Sequence, residues 1–181
     1  MTAFAGQTDP ALISMDQVRH AKPGARTITL DPNILVSPCD GIIGAHGLIE
    51  NTQVFQAKGF PYSLRDLLPN DSLSKEFASG SYVTIRITAG MYHRFHAPLD
   101  CYITKVTYIS GDTWNVNPIA LKRVEKLFCK NERAVIESSF IAPESQTQHR
   151  FLMVPVAAVL VASIRLHFID VLLNLHYKGA N

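Results

Sequence analysis

Charge is scarce in this sequence. Lys, Arg, Asp and Glu make up 18% of 181 residues, and 17 basic against 15 acidic side chains leave a formal net charge of only +2. That excludes a polyelectrolyte, a disordered tail and a highly charged coiled coil. It also removes any general electrostatic case for nucleic-acid binding. Cysteine is scarce too. Cys39, Cys101 and Cys129 are widely spaced with no CxxC, so no disulfide framework is implied and a reducing compartment is the simpler expectation. No basic start followed by an apolar run opens the chain, so a cleaved signal peptide is not expected. The longest apolar stretch, Phe151 to Ile164, is interrupted by Pro155 and Ser163 and falls short of the roughly 20 residues of a spanning helix; it is predicted to be buried strand. Glycines sit singly at turns, with no phosphate loop, internal repeat or low-complexity tract.

What is present is apolar and β-prone. Hydrophobic residues make up 47% of the chain, and the mean hydropathy is +0.09. A membrane surface or a partner chain would account for that slight excess. Residues 1–33 are weakly patterned and read as an N-terminal arm or a first strand; 34–181 read as one domain. Ile34-Leu35-Val36 and Ile42-Ile43 flank Ser37-Pro38-Cys39-Asp40-Gly41, which predicts strand, turn, strand. Val54 to Ala57 predicts a short strand, broken at Lys58-Gly59-Phe60-Pro61. Ser63 to Leu68 and Ser72 to Phe77 predict short helices, the second capped by Ser72. Tyr82 to Ala89 alternates, with Val83, Ile85 and Ile87 on one predicted buried face. Tyr102 to Ile109, Arg133 to Ser138 and two segments within Phe151 to Ile169 complete the predicted strands. The expected class is β-rich α+β, mostly antiparallel sheet in a barrel-like sandwich with a few short helices.

The densest chemistry is Met91-Tyr92-His93-Arg94-Phe95-His96-Ala97-Pro98, at the exit of the alternating strand. Imidazole suits proton transfer near neutral pH, and a hydrogen-bonded loop rim is the plainer reading. His93 and His96 lie three apart, which would put them on one face of a helix but not of a strand; a metal-dependent hydrolase on that pair lacks a fitting zinc spacing, so no metal is expected. In Ser37 to Gly41, Asp40 either bonds nearby backbone N–H groups or orients a distant histidine. Cys39 is expected to be a packed thiol rather than a nucleophile. Asn131-Glu132-Arg133 reads as a buried ion pair or a solvated turn. Leu64, Leu67, Leu68 and Leu73, with Phe60 and Phe77, read as helix core or as an apolar surface dipping into a membrane.

In order along the chain stand Val36-Ser37-Pro38-Cys39-Asp40-Gly41, Lys58-Gly59 to Tyr62-Ser63-Leu64, Tyr92 to Pro98, Asn117-Pro118, Leu127-Phe128 to Asn131-Glu132-Arg133, and Val154-Pro155-Val156 to Ser163-Ile164. Their order and spacing resemble the phosphatidylserine decarboxylase family, from roughly Ile34 to Ile169. Tyr-His-Arg-x-His-x-Pro is the most specific piece. The resemblance implies a pyruvoyl-dependent lyase that converts phosphatidylserine to phosphatidylethanolamine, made as a proenzyme. The family cuts itself before the serine of a Gly-Ser-Thr motif; that serine becomes the pyruvoyl group of a small α chain, and the upstream piece is the β chain. Carried onto this sequence, Asp40 and His96 match the charge-relay pair of self-cleavage, His93 matches a histidine implicated in decarboxylation, and Tyr92 and Arg94 become candidate substrate contacts.

Some positions depart from the family pattern. Met91 stands where many members carry Asp, and Cys39 where another small residue is usual. No Gly-Ser-Thr occurs; the lone Gly-Ser, Gly80-Ser81, lies upstream of the histidines and reads as a turn into a strand. Gly179-Ala180-Asn181 is reached before the expected motif, and the hydrophobic N-terminal segment of many bacterial members is missing. The expectation is a β-chain portion or truncated product, inactive alone, whose partners are the α chain and a phospholipid at the cytoplasmic face of a membrane, peripherally bound, with a homo-oligomer left open. The rival expectation is a non-catalytic relative that binds lipid or a partner chain.

Overall fold

The computed structural model describes residues 2–4, 11–13, 29, 31–56, 60–159, 161, 163–169 and 172–174. Most of the expected arm, Lys58-Gly59, Ala162 and Gly179-Ala180-Asn181 lie outside these residues. In chain order the elements are β1 Thr2–Phe4, β2 Ala11–Ile13, β3 Ile42–Leu48, β4 Gln53–Gln56, β5 Phe60–Ser63, α1 Leu64–Leu67, α2 Asp71–Glu76, β6 Ser81–Arg86, β7 Cys101–Ile109, α3 Pro118–Leu121, α4 Leu127–Lys130, β8 Arg133–Ile141, β9 Gln148–Met153, β10 Ser163–Arg165 and β11 Leu172–Asn174. The fold is β-rich α+β, as expected. Every ladder between these strands is antiparallel: a sheet in the order β1-β7-β8-β9, with β2 also on β7, and the separate pairs β3-β6, β4-β5 and β10-β11.

The centre is β8. Its Ala134-Val135-Ile136 run is apolar without alternation because both faces are covered. Ala134 and Ile136 join Ile103, Val106, Ile164 and Leu166 on one side. Val135 joins Val54, Leu64, Leu68 and Leu73 on the other. At about 1.5–3 kcal/mol per fully buried aliphatic side chain, Leu64, Leu68 and Leu73 belong to the core reading of that leucine group. Among the described residues, no helix is long and apolar enough to cross a membrane.

The structure corrects several expectations. Asn70, not Ser72, caps α2: its Oδ1 accepts from the Leu73 N–H at 2.9 Å, which starts the helix two residues earlier. The predicted buried face along Val83, Ile85 and Ile87 is only partly covered. Val83 is 55% exposed while Ile85 and Ile87 are half-buried, because among the described residues β6 pairs only with β3 and no further layer closes over that hairpin. Ile43 at 63% and Leu48 at 71% are more exposed still. In Phe151 to Ile164 the strand stops at Met153, and Val154 to Val156 are half-buried. Pro155 has no N–H to extend the ladder. Gly80-Ser81 enters β6 from a turn, as read.

Asn131-Glu132-Arg133 is neither an ion pair nor a solvated turn. All three are buried, and Arg133 holds backbone oxygens instead. Its Nε donates to Leu67 at 2.8 Å and Nη2 to Asp66 at 3.0 Å, while Nη1 donates to Cys129 at 2.7 Å and Asn131 at 3.0 Å. One guanidinium therefore joins the ends of α1 and α4. The Asn131 amide donates to Trp114 and Ala157 carbonyls, both at 2.8 Å.

Gly111 lies backbone to backbone against that junction. The Asp112 N–H donates to Lys130 at 2.9 Å, and the Glu132 N–H donates to Asp112 at 2.8 Å. A Cβ on Gly111 would run into the Lys130 carbonyl oxygen and come within 2.9 Å of Asn131 and Glu132 backbone atoms. Backbone atoms cannot swing aside, so Gly111→Ala is expected to lose about 1–3 kcal/mol of stability in a urea melt. An unchanged midpoint would contradict this packing.

Candidate active site

The antiparallel register of β3 and β6 pairs Ile42 with Arg86. The chain entering β3 and the chain leaving β6 therefore emerge at the same end of the hairpin. The first carries Ser37 to Gly41 and the second Met91 to Pro98. Gly41 makes the close approach there. A Cβ would collide with the Ile85 Cγ2 and stand 3.1 Å from the Arg86 carbonyl oxygen, so only glycine lets the turn sit on β6.

Two backbone hydrogen bonds join the strings. The Val36 N–H donates to Pro98 at 3.0 Å and the His96 N–H donates to Pro38 at 2.8 Å. In an antiparallel pair each of these couples would exchange two bonds. Here each has one, because Pro38 and Pro98 have no N–H to return. That is why Ile34-Leu35-Val36 is not the strand its composition predicts: Val36 and Pro38 run beside 96–98 without a full ladder. The sequence places Asp40 two residues beyond the Pro38–His96 bond. Asp40 and His96 are both half-buried.

The histidine loop is anchored by a residue that sequence reasoning passed over. Phe95 packs on the core cluster of Ile103 and Ile136, and Ala97 and Pro98 are buried. The Tyr92 and His96 rings stack, with centroids 6.2 Å apart and planes 13° apart, within the ordinary range of aromatic pairs. Tyr92 thus bears on the orientation of His96. His93 and Arg94 are exposed; His93 Nε2 lies 3.4 Å from the Ala89 oxygen. The Met91 thioether Sδ accepts from the Thr88 N–H at 3.5 Å.

The segment from Tyr92 to Ala97 is not helical, so the spacing of three between His93 and His96 does not set them on a helix face. Among the described residues, no three His, Cys, Asp or Glu side chains group as a metal site needs. Cys39 is half-buried, and burial followed by the Asp40 charge pushes its thiol up. The protonated thiol is the packed form expected, not a thiolate nucleophile.

Glu132 is the other carboxyl of note, and it lies outside this cluster in sequence. No part of it is exposed. Burial pushes its pKa up and Tyr108 draws it partly back. The folded state therefore keeps a proton that the unfolded chain loses as pH rises past the ordinary value of 4.5, and stability falls on that rise. Glu132→Gln is expected to melt at a higher temperature than the unsubstituted chain at pH 7.5, with the gap closing towards pH 4. A gap independent of pH would contradict the burial argument.

A half-buried histidine on a loop laid against an aspartate-bearing turn defines a site suited to proton-transfer chemistry. Comparison with known proteins gives the family. Residues 17–179 match the family model described as phosphatidylserine decarboxylase, and the chain belongs to that family. The phosphatidylserine decarboxylase proenzyme of Idiomarina loihiensis is 40% identical over 148 residues, covering 81% of this chain and 48% of the relative. That of Saccharophagus degradans is 39% identical over 150 residues, covering 81% and 50%. That of Aliivibrio salmonicida is 37% identical over 155 residues, covering 84% and 52%. The chain spans about half the length of the curated relatives it matches.

Proposed function

We propose that this chain is the β-chain portion of a self-cleaving, pyruvoyl-dependent phosphatidylserine decarboxylase acting at the cytoplasmic face of a membrane, with an α chain as partner. The observation that carries the reading is the pair of one-sided hydrogen bonds, Val36 to Pro98 and His96 to Pro38, which brings the Asp40 turn and the His96 loop side by side. The donor set fits a pyruvoyl group: a half-buried imidazole and a half-buried carboxylate on segments joined by those bonds, with a second imidazole and a guanidinium exposed on the same loop as the first.

A pyruvoyl group supplies a ketone that takes up the electrons released when an amino-acid carboxylate leaves as CO2. This chain's residues do the rest. A serine hydroxyl is a weak nucleophile until a base removes its proton. His96 takes that proton, and Asp40 holds the imidazole tautomer that can accept it. Tyr92 fixes the ring by stacking. Exposed His93 handles the proton that replaces the lost carboxylate. Arg94 presents a planar fork to the anionic groups of the headgroup.

The test joins this chain to the downstream half of the Idiomarina loihiensis relative and measures two products: the split polypeptide by mass spectrometry, and phosphatidylethanolamine from phosphatidylserine. Both are expected, whereas this chain alone should keep its full mass. A fusion that folds yet yields neither would favour the non-catalytic relative.

A further inference from the structure

The exposed histidine of the loop is held by one contact whose chemistry has a single sense. Thr88 to Met91 close a turn directly after β6. The Met91 N–H donates to the Thr88 oxygen at 2.9 Å, and the Thr88 N–H donates to Met91 Sδ at 3.5 Å. Ala89 and Gly90 are the central residues of this turn. The closing bond uses the Thr88 oxygen, which leaves the Ala89 carbonyl to other donors. His93 Nε2 lies 3.4 Å from it. The two residues are four apart and the turn between them is already closed, so little chain entropy opposes the contact.

A carbonyl oxygen only accepts, so the hydrogen bond requires the proton to sit on Nε2. A neutral imidazole carries one such proton, and Nδ1 is then the nitrogen with the free lone pair. Among the described residues, the Ala89 oxygen is the hydrogen-bond partner of this ring. The side chain is exposed, so a bound headgroup can reach it. His96 is held differently, by its backbone N–H on Pro38 and by its ring stacked on Tyr92. The loop thus fixes its two imidazoles by separate devices.

We propose that the Thr88–Met91 turn holds His93 as its Nε2–H tautomer and so makes Nδ1 the nitrogen that exchanges a proton with the substrate. Ala89 is the positioning residue, acting through its carbonyl. In the step itself the Nδ1–H bond of the protonated ring breaks as a C–H bond forms at the carbon that has lost CO2. That carbon supplies the electron pair, and the ring returns to the neutral Nε2–H form on Ala89. A proton from solvent restores Nδ1. The inference rests on the decarboxylase reading above and adds which atom of His93 carries the proton.

The first test needs no chemistry. The full chain is isotope-labelled at its histidine nitrogens and studied by NMR at about pH 9, where an ordinary imidazole is neutral. There are seven histidines, and a His93→Gln sample identifies the His93 signals by their loss. The expected result is protonated Nε2, with the Nδ1–H form about fivefold scarcer than in the same chain unfolded in urea, the ratio one net hydrogen bond supports. Met91→Pro removes the N–H that closes the turn and draws Gly90 toward an extended conformation. The unfolded ratio should then return while signals from the β8 core stay in place. A folded chain with the unfolded ratio overturns the proposal, and so does a majority of the Nδ1–H form.

The second test uses the fusion, with His93→Nδ1-methylhistidine or His93→Nε2-methylhistidine. Both should split, since His96 is intact. The Nε2-methyl fusion should form phosphatidylethanolamine about 100-fold faster than the Nδ1-methyl fusion, the scale of one general acid. The reverse order overturns the proposal. A fusion that neither splits nor decarboxylates, from a chain whose His93 shows the Nε2–H form, sinks the function and leaves the tautomer standing. An active fusion from a chain whose His93 shows the unfolded ratio does the opposite.

Discussion

His96→Ala, introduced into the fusion with a downstream Gly-Ser-Thr segment, is expected to leave one uncut polypeptide where the unsubstituted fusion splits in two. The argument starts from the weakness of a serine hydroxyl as a nucleophile. Without a positioned base, self-cleavage loses the whole contribution of general-base catalysis, about 10²–10⁴-fold. His96 holds the position through its own backbone, since its N–H is tied to Pro38 and its ring is stacked on Tyr92. Alanine keeps the first contact and removes the imidazole, so the loop should stay in place while the base is gone. Asp40→Asn should slow cleavage too, because an amide no longer favours the tautomer that accepts a proton. His93→Ala provides the contrast. It should cut normally and then fail to release CO2, because His93 is exposed on the loop rather than bonded to the aspartate turn. Gel analysis of cleavage and a headgroup assay separate the two stages. Cleavage of the His96→Ala fusion at an undiminished rate would remove His96 from the mechanism.

The largest expected effect on stability is at Arg133. Arg133→Met is expected to lose about 3 kcal/mol or more, read as a fall in the urea midpoint. The methionine fills space but donates nothing, so the Leu67, Asp66, Cys129 and Asn131 oxygens lose a charged donor together. Each hydrogen bond to a charged group is worth about 1.5–3 kcal/mol, and a buried acceptor left alone costs comparably. Arg133→Lys should recover only part, because an ammonium on a flexible stem cannot span acceptors that a planar fork reaches at once. Burial lowers the Arg133 pKa, but a guanidinium stays charged across any pH at which the fold is studied. A loss under about 1 kcal/mol would mean that water replaces the guanidinium at these oxygens.

The β-rich class and the two loop strings were legible in the sequence; how the strings meet was not. Ser37 to Gly41 and Tyr92 to Pro98 were legible because turn chemistry and side-chain type are local. Their meeting was not, since it depends on the β3–β6 register and on two prolines that halve the bonding between Val36–Pro38 and 96–98. Ile34-Leu35-Val36 had a strand's composition and lacked a partner able to return its bonds. Val83, Ile85 and Ile87 had a buried strand's alternation, but alternation reports which side chains share a face and not whether anything lies over it. Asn131-Glu132-Arg133 offered charges of both signs, and no rule of spacing foretold that the arginine would turn to four carbonyls. Phe95, the anchor of the histidine loop, was hidden inside the motif it secures.

The uncovered β3–β6 hairpin has a consequence for handling the protein. Among the described residues this ribbon has two strands and two free edges, each offering N–H and C=O groups to any passing strand. Of the residues in β3 and β6 only Arg86 carries a formal charge, so little repels an incoming chain. Ile43, Leu48 and Val83 add grease to that template. Purified at high concentration, the isolated chain is a candidate for strand addition between copies, seen as light scattering that rises with protein concentration. Charged gatekeepers at Ile43 and Val83 are the economical remedy, because they change the ribbon's solvent side and leave the core around β8 intact.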